Sequence, residues 1–98
     1  ISAQLVDLRS IRPLDEETLY TAVARTGNCV IVHEGHLFAG IGAEIAARVQ
    51  EACFDYLKAP VLRVASRDVP HPYATNLENL VVPDVKRILA AVTTVTGR

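Results

Sequence analysis

Two histidines and a glutamate crowd into four residues at His33-Glu34-Gly35-His36, the densest polar cluster in the sequence. An imidazole titrates near neutral pH and a neighbouring carboxylate favours its charged form, so His33 with Glu34 has the residue types for acid and base work. The cluster sits at the carboxyl end of an apolar run that reads as a strand, which is where open α/β sheets present their ligand sites. Neighbours on a strand point to opposite faces, so a direct dyad is less favoured than a single histidine, His33, facing a cleft or a subunit interface. A packed or surface histidine is the plainer alternative. Two histidines and one glutamate could also ligate a metal, but their offsets match no helical zinc motif, and no metal site is expected.

The second candidate is Gly40-Ile41-Gly42 ahead of a helix, which has the first half of a dinucleotide fingerprint. Its second half fails, because Ile45 stands at the third glycine position and Glu44 brings negative charge to where a phosphate would lie. The plainer reading is that Gly40 and Gly42 permit a tight strand-to-helix turn. A third cluster, Asp68-Val69-Pro70-His71-Pro72-Tyr73, is stiffened by its prolines and offers His71 and Tyr73 to a surface, suited to docking as much as to chemistry. The sequence contains no nucleophile elbow, no phosphate loop and no Cys-x-x-Cys pair, so self-contained catalysis gains no support.

The elements that must position these residues fit one domain over residues 1–98, since 98 residues that are 50% hydrophobic build one core. At this size folding hides only roughly 60–65% of the unfolded chain's surface, which leaves room for a partner chain to add stability. Ten basic and eleven acidic residues, net charge -1, with no like-charge run longer than Asp15-Glu16-Glu17, do not make a phosphate-tracking surface, and nucleic acid is not an expected partner. No apolar stretch approaches the roughly 20 residues that span a bilayer, and Ile1-Ser2-Ala3-Gln4 carries no leader pattern, so a soluble chain without membrane contact is expected. Cys29 and Cys53 lie in apolar runs and read as buried reduced thiols in a cytosol-like compartment.

Glycine and proline divide the chain into alternating apolar runs and amphipathic segments. Residues 4–8 read as a first strand. Asp15 is an N-cap with Glu16 and Glu17 in the first turn, Leu14 and Leu19 form a hydrophobic staple, and Gly27 closes a helix over 15–26. Residues 29–32 are an unbroken β-branched run that predicts a central parallel strand covered on both faces and ending at His33-Glu34-Gly35. Ile45, Val49, Cys53 and Leu57 recur every four residues and predict a second helix reaching about Tyr56, with Arg48 and Gln50 toward water. Pro60 precedes a third strand at 61–65. A last helix opens near Pro83 or Asp84, buries Val85, Ile88, Leu89 and Val92, and frays over 93–98. This order predicts an α/β fold with a three-layer α/β/α arrangement and a small, mostly parallel sheet that lacks an edge piece. An open edge predicts dimers or larger assemblies.

Several strings together resemble one family. They are Val6-Asp7-Leu8-Arg9-Ser10-Ile11-Arg12-Pro13-Leu14-Asp15, then His33-Glu34-Gly35, then Gly40-Ile41-Gly42-Ala43-Glu44-Ile45-Ala46-Ala47-Arg48, then Phe54-Asp55-Tyr56-Leu57-Lys58-Ala59-Pro60-Val61-Leu62-Arg63-Val64, and the proline loop from Asp68 to Tyr73. The chain resembles the transketolase-type carboxy-terminal domain in the beta subunit of pyruvate, branched-chain 2-oxo acid or acetoin dehydrogenases. The resemblance implies a domain without the family's first strand and helix. It also implies an enzyme of alpha and beta subunits in which thiamine diphosphate and magnesium sit between the other domains, with no cofactor bound by this chain alone. The implied reaction decarboxylates a 2-oxo acid and acylates a lipoyl group on an acyltransferase component. The implied partners are an alpha subunit, a second beta subunit and that acyltransferase, in the cytoplasm or, in a eukaryote, the mitochondrial matrix. Lys58 stands where the family's docking surface often has an acidic residue, and His33-Glu34 tilts the substrate toward branched-chain acids. Two further readings are an autonomous docking module for the acyltransferase and the same domain of a transketolase or deoxyxylulose phosphate synthase relative.

Overall fold

A computed structural model of the chain describes residues 3–9, 14–66 and 84–97. The first helix, α1 (Glu16–Thr26), begins where the sequence dictates. The Asp15 carboxylate accepts from the Thr18 amide at 3.2 Å and from its hydroxyl at 2.8 Å, and Glu16 and Glu17 complement the helix dipole. Gly27 takes the left-handed conformation (φ 79°) and donates to the Val23 carbonyl at 2.8 Å, which ends the helix.

After this cap come strand β1 (Val30–His36), helix α2 (Ile41–Cys53) with a short 3-10 turn at Phe54–Tyr56, strand β2 (Leu62–Ser66) and helix α3 (Val85–Thr96). The strands pair in parallel, with Val30 opposite Leu62, Ile31 opposite Arg63 and Val32 opposite Val64. Helices α1 and α2 cover one face of this sheet. Leu19 and Val23 of α1 pack with Ile45, Val49 and Cys53 of α2 in the buried core, and Ile31 of β1 and Leu57 lie against that cluster. Helix α3 lies along the other face, where Ile88, Val92 and Val95 line a cleft of about 320 Å³ with Val30 and Val32. Alternation along β1 therefore sends Ile31 to one helical layer and its neighbours to the other. The predicted three-layer α/β/α arrangement holds, with a two-stranded parallel sheet among the described residues.

Five expectations are corrected. Residues 4–8 form no strand. The Asp7 side chain accepts from the Arg9 amide at 3.2 Å, Arg9 turns into the left-handed region (φ 54°), and Leu5 stands 94% exposed. A cleft of about 250 Å³ separates this segment from α1 and β1. Strand β1 starts at Val30 and runs through the His33-Glu34-Gly35 stretch to His36, instead of ending there. It is not covered evenly on both faces, since Val32 is exposed. The buried stripe of α3 is centred on Val95, with Ile88, Ala91 and Val92 half-buried, whereas Val85 and Leu89 face outward. Its last turn does not fray: Gly97 caps it in the left-handed conformation (φ 74°), and the helix continues to Thr96. The opening of α3 is as expected, with the Asp84 side chain accepting from the Arg87 amide at 2.8 Å.

Two polar contacts tie the layers together. Arg48, which the helical period turns toward water, bridges α2 to Glu16 of α1 at 2.6 Å and approaches Glu44 at 3.6 Å. Both pairs are solvated, so they orient the helices more than they stabilise them. With its amide oriented by its neighbours, Asn28 donates to the Val95 carbonyl at 3.0 Å, fastening the end of α3 to the loop after α1. Cys53 is buried and Cys29 half-buried, both as free thiols whose titration burial pushes up.

The packing separates two apolar positions that look alike in sequence. Ile45→Ala should lower the unfolding free energy by about 2–5 kcal/mol, because it empties a site in the α1–α2 core. Leu89→Ala, at a position 59% exposed, should change it by less than about 0.5 kcal/mol. Urea unfolding followed by circular dichroism measures both.

Candidate functional site

The polar cluster His33-Glu34-Gly35-His36 lies in an irregular stretch of β1. Between Val32 and His36 that strand advances four residues while β2 advances two, from Val64 to Ser66, and the ladder resumes with His36 opposite Ser66. The surplus is a bulge, a device that re-aims side chains at the end of a strand. Three contacts hold it. The buried Ser66 hydroxyl donates to the Glu34 carbonyl, the Leu37 amide donates to the Ser66 carbonyl at 3.1 Å, and the Arg63 guanidinium donates to the Leu37 carbonyl at 2.5 Å.

The bulge turns the His33 ring toward the start of α2. Both ring nitrogens are buried and have no hydrogen-bond partner among the described residues. The ring occupies a space that two glycines leave open. A Cβ at Gly42 would fall on Nε2 of His33, and one at Gly40 would strike the His36 carbonyl and stand 3.0 Å from Cε1 of His33. Burial holds the imidazole below its ordinary value of 6.5, and the Arg63 guanidinium pushes it the same way. Both effects favour the neutral imidazole.

The structure thus brings His33, Gly40 and Gly42 together and leaves Glu34 and His36 on the exposed side of the strand. The tight turn does not rest on glycine freedom as the sequence suggests. Gly40 is extended (φ -80°), and the left-handed residue is Ala39 (φ 56°). The glycines serve close approach instead. Lys58 has a packing role as well: its amide donates to the Gly27 carbonyl at 2.7 Å, and its stem lies over Gly27, where an added Cβ would meet Cε at 2.9 Å. Its ammonium belongs to an exposed residue. His71 and Tyr73 lie outside the described residues.

Sequence reasoning missed Arg63, which read only as the middle of a strand, and Ser66, which lay just past that strand's predicted end. Arg87 was missed too, although it donates from α3 to the Ala65 carbonyl at 2.5 Å. A basic residue opposite a histidine-bearing strand was the one available signal. Among the described residues no group of three histidine, cysteine or acidic side chains is arranged to hold a metal, and no helix is long and apolar enough to cross a membrane.

A small parallel sheet sandwiched between helices, with its polar cluster at the strands' carboxyl ends, is the frame that the motif order implies. The profile of the family described as "Transketolase, C-terminal domain" matches residues 1–88. The chain belongs to this family. As a transketolase C-terminal domain it is similar to the pyruvate dehydrogenase E1 component subunit beta of Rhizobium meliloti (strain 1021), 48% identical over 92 residues that make up 94% of this chain and 20% of the relative. The mitochondrial pyruvate dehydrogenase E1 component subunit beta of Dictyostelium discoideum is 47% identical over 98 residues, 100% of this chain and 28% of the relative. The mitochondrial subunit beta-1 of Arabidopsis thaliana is 50% identical over 91 residues, 93% of this chain and 25% of the relative. The chain thus spans between 20% and 28% of the length of these curated relatives.

The cradle makes a prediction about packing. Gly42→Ala should destabilise the domain by about 1–3 kcal/mol, because the new methyl overlaps the His33 ring. Placing His33→Ala beside it should recover part of that loss, with a coupling of about 0.5–3 kcal/mol. Equilibrium unfolding of the two single variants and the double variant reads the coupling, and strictly additive losses would remove His33 from the cradle.

Proposed function

We propose that this chain is the carboxy-terminal domain of the beta subunit in the first component of a 2-oxo acid dehydrogenase complex, and that it serves subunit assembly. The single observation that carries this reading is identity of 47–50% across 91–98 residues to proteins named as pyruvate dehydrogenase E1 beta subunits. Those names move the proposed substrate to pyruvate, away from the branched-chain acids toward which His33-Glu34 tilts. In the complete enzyme, thiamine diphosphate with magnesium would carry the decarboxylation and the transfer of the acyl group to a lipoyl acceptor.

The described residues do not fit that cofactor. The Gly40-Ile41-Gly42 turn, which among the described residues has the glycines ahead of a helix that a diphosphate would need, is filled by the His33 imidazole. The first turn of α2 adds the Glu44 carboxylate. These observations support a cofactor held by other parts of the enzyme, and no catalytic step is assigned to this chain. Its proposed work is contact: Phe54 and Tyr56 after α2, and Val85 and Leu89 on α3, are large apolar side chains that the domain leaves exposed. Such surfaces suit an alpha subunit, a second beta subunit or the acyltransferase. The bacterial cytoplasm or the mitochondrial matrix goes with this reading, since the Dictyostelium and Arabidopsis relatives are named as mitochondrial.

Replacing the matching segment of a pyruvate dehydrogenase beta subunit with this chain, and assembling it with its alpha subunit, should give lipoyl-dependent decarboxylation of pyruvate in the presence of thiamine diphosphate and magnesium. Pyruvate should be turned over faster than 2-oxoisovalerate. An assembled hybrid that decarboxylates neither acid would overturn the proposal, and preference for the branched acid would overturn the choice of substrate.

A further inference from the structure

A buried polar group without a partner costs free energy, and a charged one costs far more. His33 is such a group, with both ring nitrogens buried and unpartnered among the described residues. Its ring is also the filling of the cradle formed by Gly40 and Gly42, so it spans the turn between β1 and α2 and packs under it. That turn is under tension. Ala39 holds a left-handed backbone (φ 56°), which a residue with a Cβ adopts only at a cost in free energy. The turn also holds apolar groups near water, Phe38 at 81% exposure with Leu37 and Ile41 beside it.

We propose that His33 is a pH-sensitive latch: neutral, its imidazole fills the glycine cradle and holds the 37–41 turn shut; protonated, it leaves the cradle and frees the turn. The charges around it set the direction. From β2 the Arg63 guanidinium acts on the ring and repels a second positive charge. From α2 the first-turn carboxylate Glu44 is directed to Arg48, 3.6 Å away, so it does not offset Arg63. On β1 itself Glu34 and His36 are exposed neighbours. Among the described residues no carboxylate therefore pairs with the imidazolium in the closed state, whereas water solvates it in the open one.

The sign follows from linkage. The closed state holds His33 below its ordinary 6.5, so the open state binds the proton more readily, and the latch is complete above that value and weakens as pH falls through it. Ordinary carboxylates titrate roughly two units lower and do not share this window. This inference concerns the turn alone and stands apart from the assembly role proposed above. Opening would alter how Leu37, Phe38 and Ile41 meet water.

Amide hydrogen exchange of the chain, normalised to intrinsic rates, tests it at about pH 7.5 and about pH 5.5. If only the open state takes up the proton, opening increases about tenfold over that interval. The Leu37 amide, bonded to the Ser66 carbonyl, and the Ala43 amide, bonded to the Gly40 carbonyl, should lose about that much protection. Amides of α1 such as Val23 should hold, and His33→Gln should abolish the pH effect at the turn. No loss at the turn, an equal loss in α1, or an undiminished loss in a folded His33→Gln variant would each overturn the latch. Should His33→Gln fail to fold, NMR titration of the unaltered chain decides. The amide shifts of residues 37–43 must move with the midpoint of the His33 ring, and movement independent of that ring would overturn it.

Discussion

Two parallel strands of unequal length must share one ladder, and the rest of this domain is arranged around how that mismatch is absorbed. Val30, Ile31 and Val32 pair in step with Leu62, Arg63 and Val64, and then β1 carries surplus residues before His36 meets Ser66. The surplus has to leave the plane of the sheet, and it leaves toward α2, carrying the His33 ring. Ser66, Arg63 and the Leu37 amide fix the displaced backbone, and Gly40 and Gly42 make room for the ring. The polar cluster is thus first a solution to a register problem. Any functional role it has is built on a bulge that two strands and a helix start must define together.

The two faces of the sheet are stabilised differently. Under α1 and α2 lies the buried core, Leu19, Val23, Ile45, Val49 and Cys53. Toward α3 the packing is looser, and a cleft remains between β1, the segment 3–9 and that helix. Polar ties compensate there. Asn28 reaches Val95, and Arg87 reaches Ala65, so α3 is fastened to both ends of the sheet by side chains that donate to backbone carbonyls. Apolar burial supplies most of the stability on the first face, whereas directional bonds set the position of the second. The same division fits a domain whose outer surfaces meet other chains.

Much of this was legible in the residues. Asp15, Glu16, Glu17 and Gly27 each act locally, within one or two turns of chain, and the first helix was accordingly readable at both ends. The four-residue recurrence of Ile45, Val49 and Cys53 named the core face of α2, because a helix repeats its faces whatever surrounds it. The last helix shows where periodicity stops. Val85, Ile88, Leu89, Val92 and Val95 all fit an apolar stripe, but only the placement of α3 against β1 and β2 decided that Val95 is inside and Leu89 outside. The segment 4–8 has strand-like residues, and the turn at Asp7 and Arg9 keeps it from the ladder. Propensity cannot weigh a side chain that competes for the same backbone groups.

By itself the sequence determined the family, the alternation of helices and strands, the caps of α1, the opening of α3, and the α1–α2 core. All of these rest on interactions between residues near one another in the chain or on motifs in fixed order. Tertiary structure alone decided what the glycines and the histidine do. Arg63 comes to act on His33 only because a parallel crossover returns the chain to the same edge, and the space that Gly40 and Gly42 leave is defined by the ring that fills it. Register, close approach and burial are properties of pairs of distant segments. They enter the energy only when those segments are already in contact, and so no reading of one segment at a time contains them.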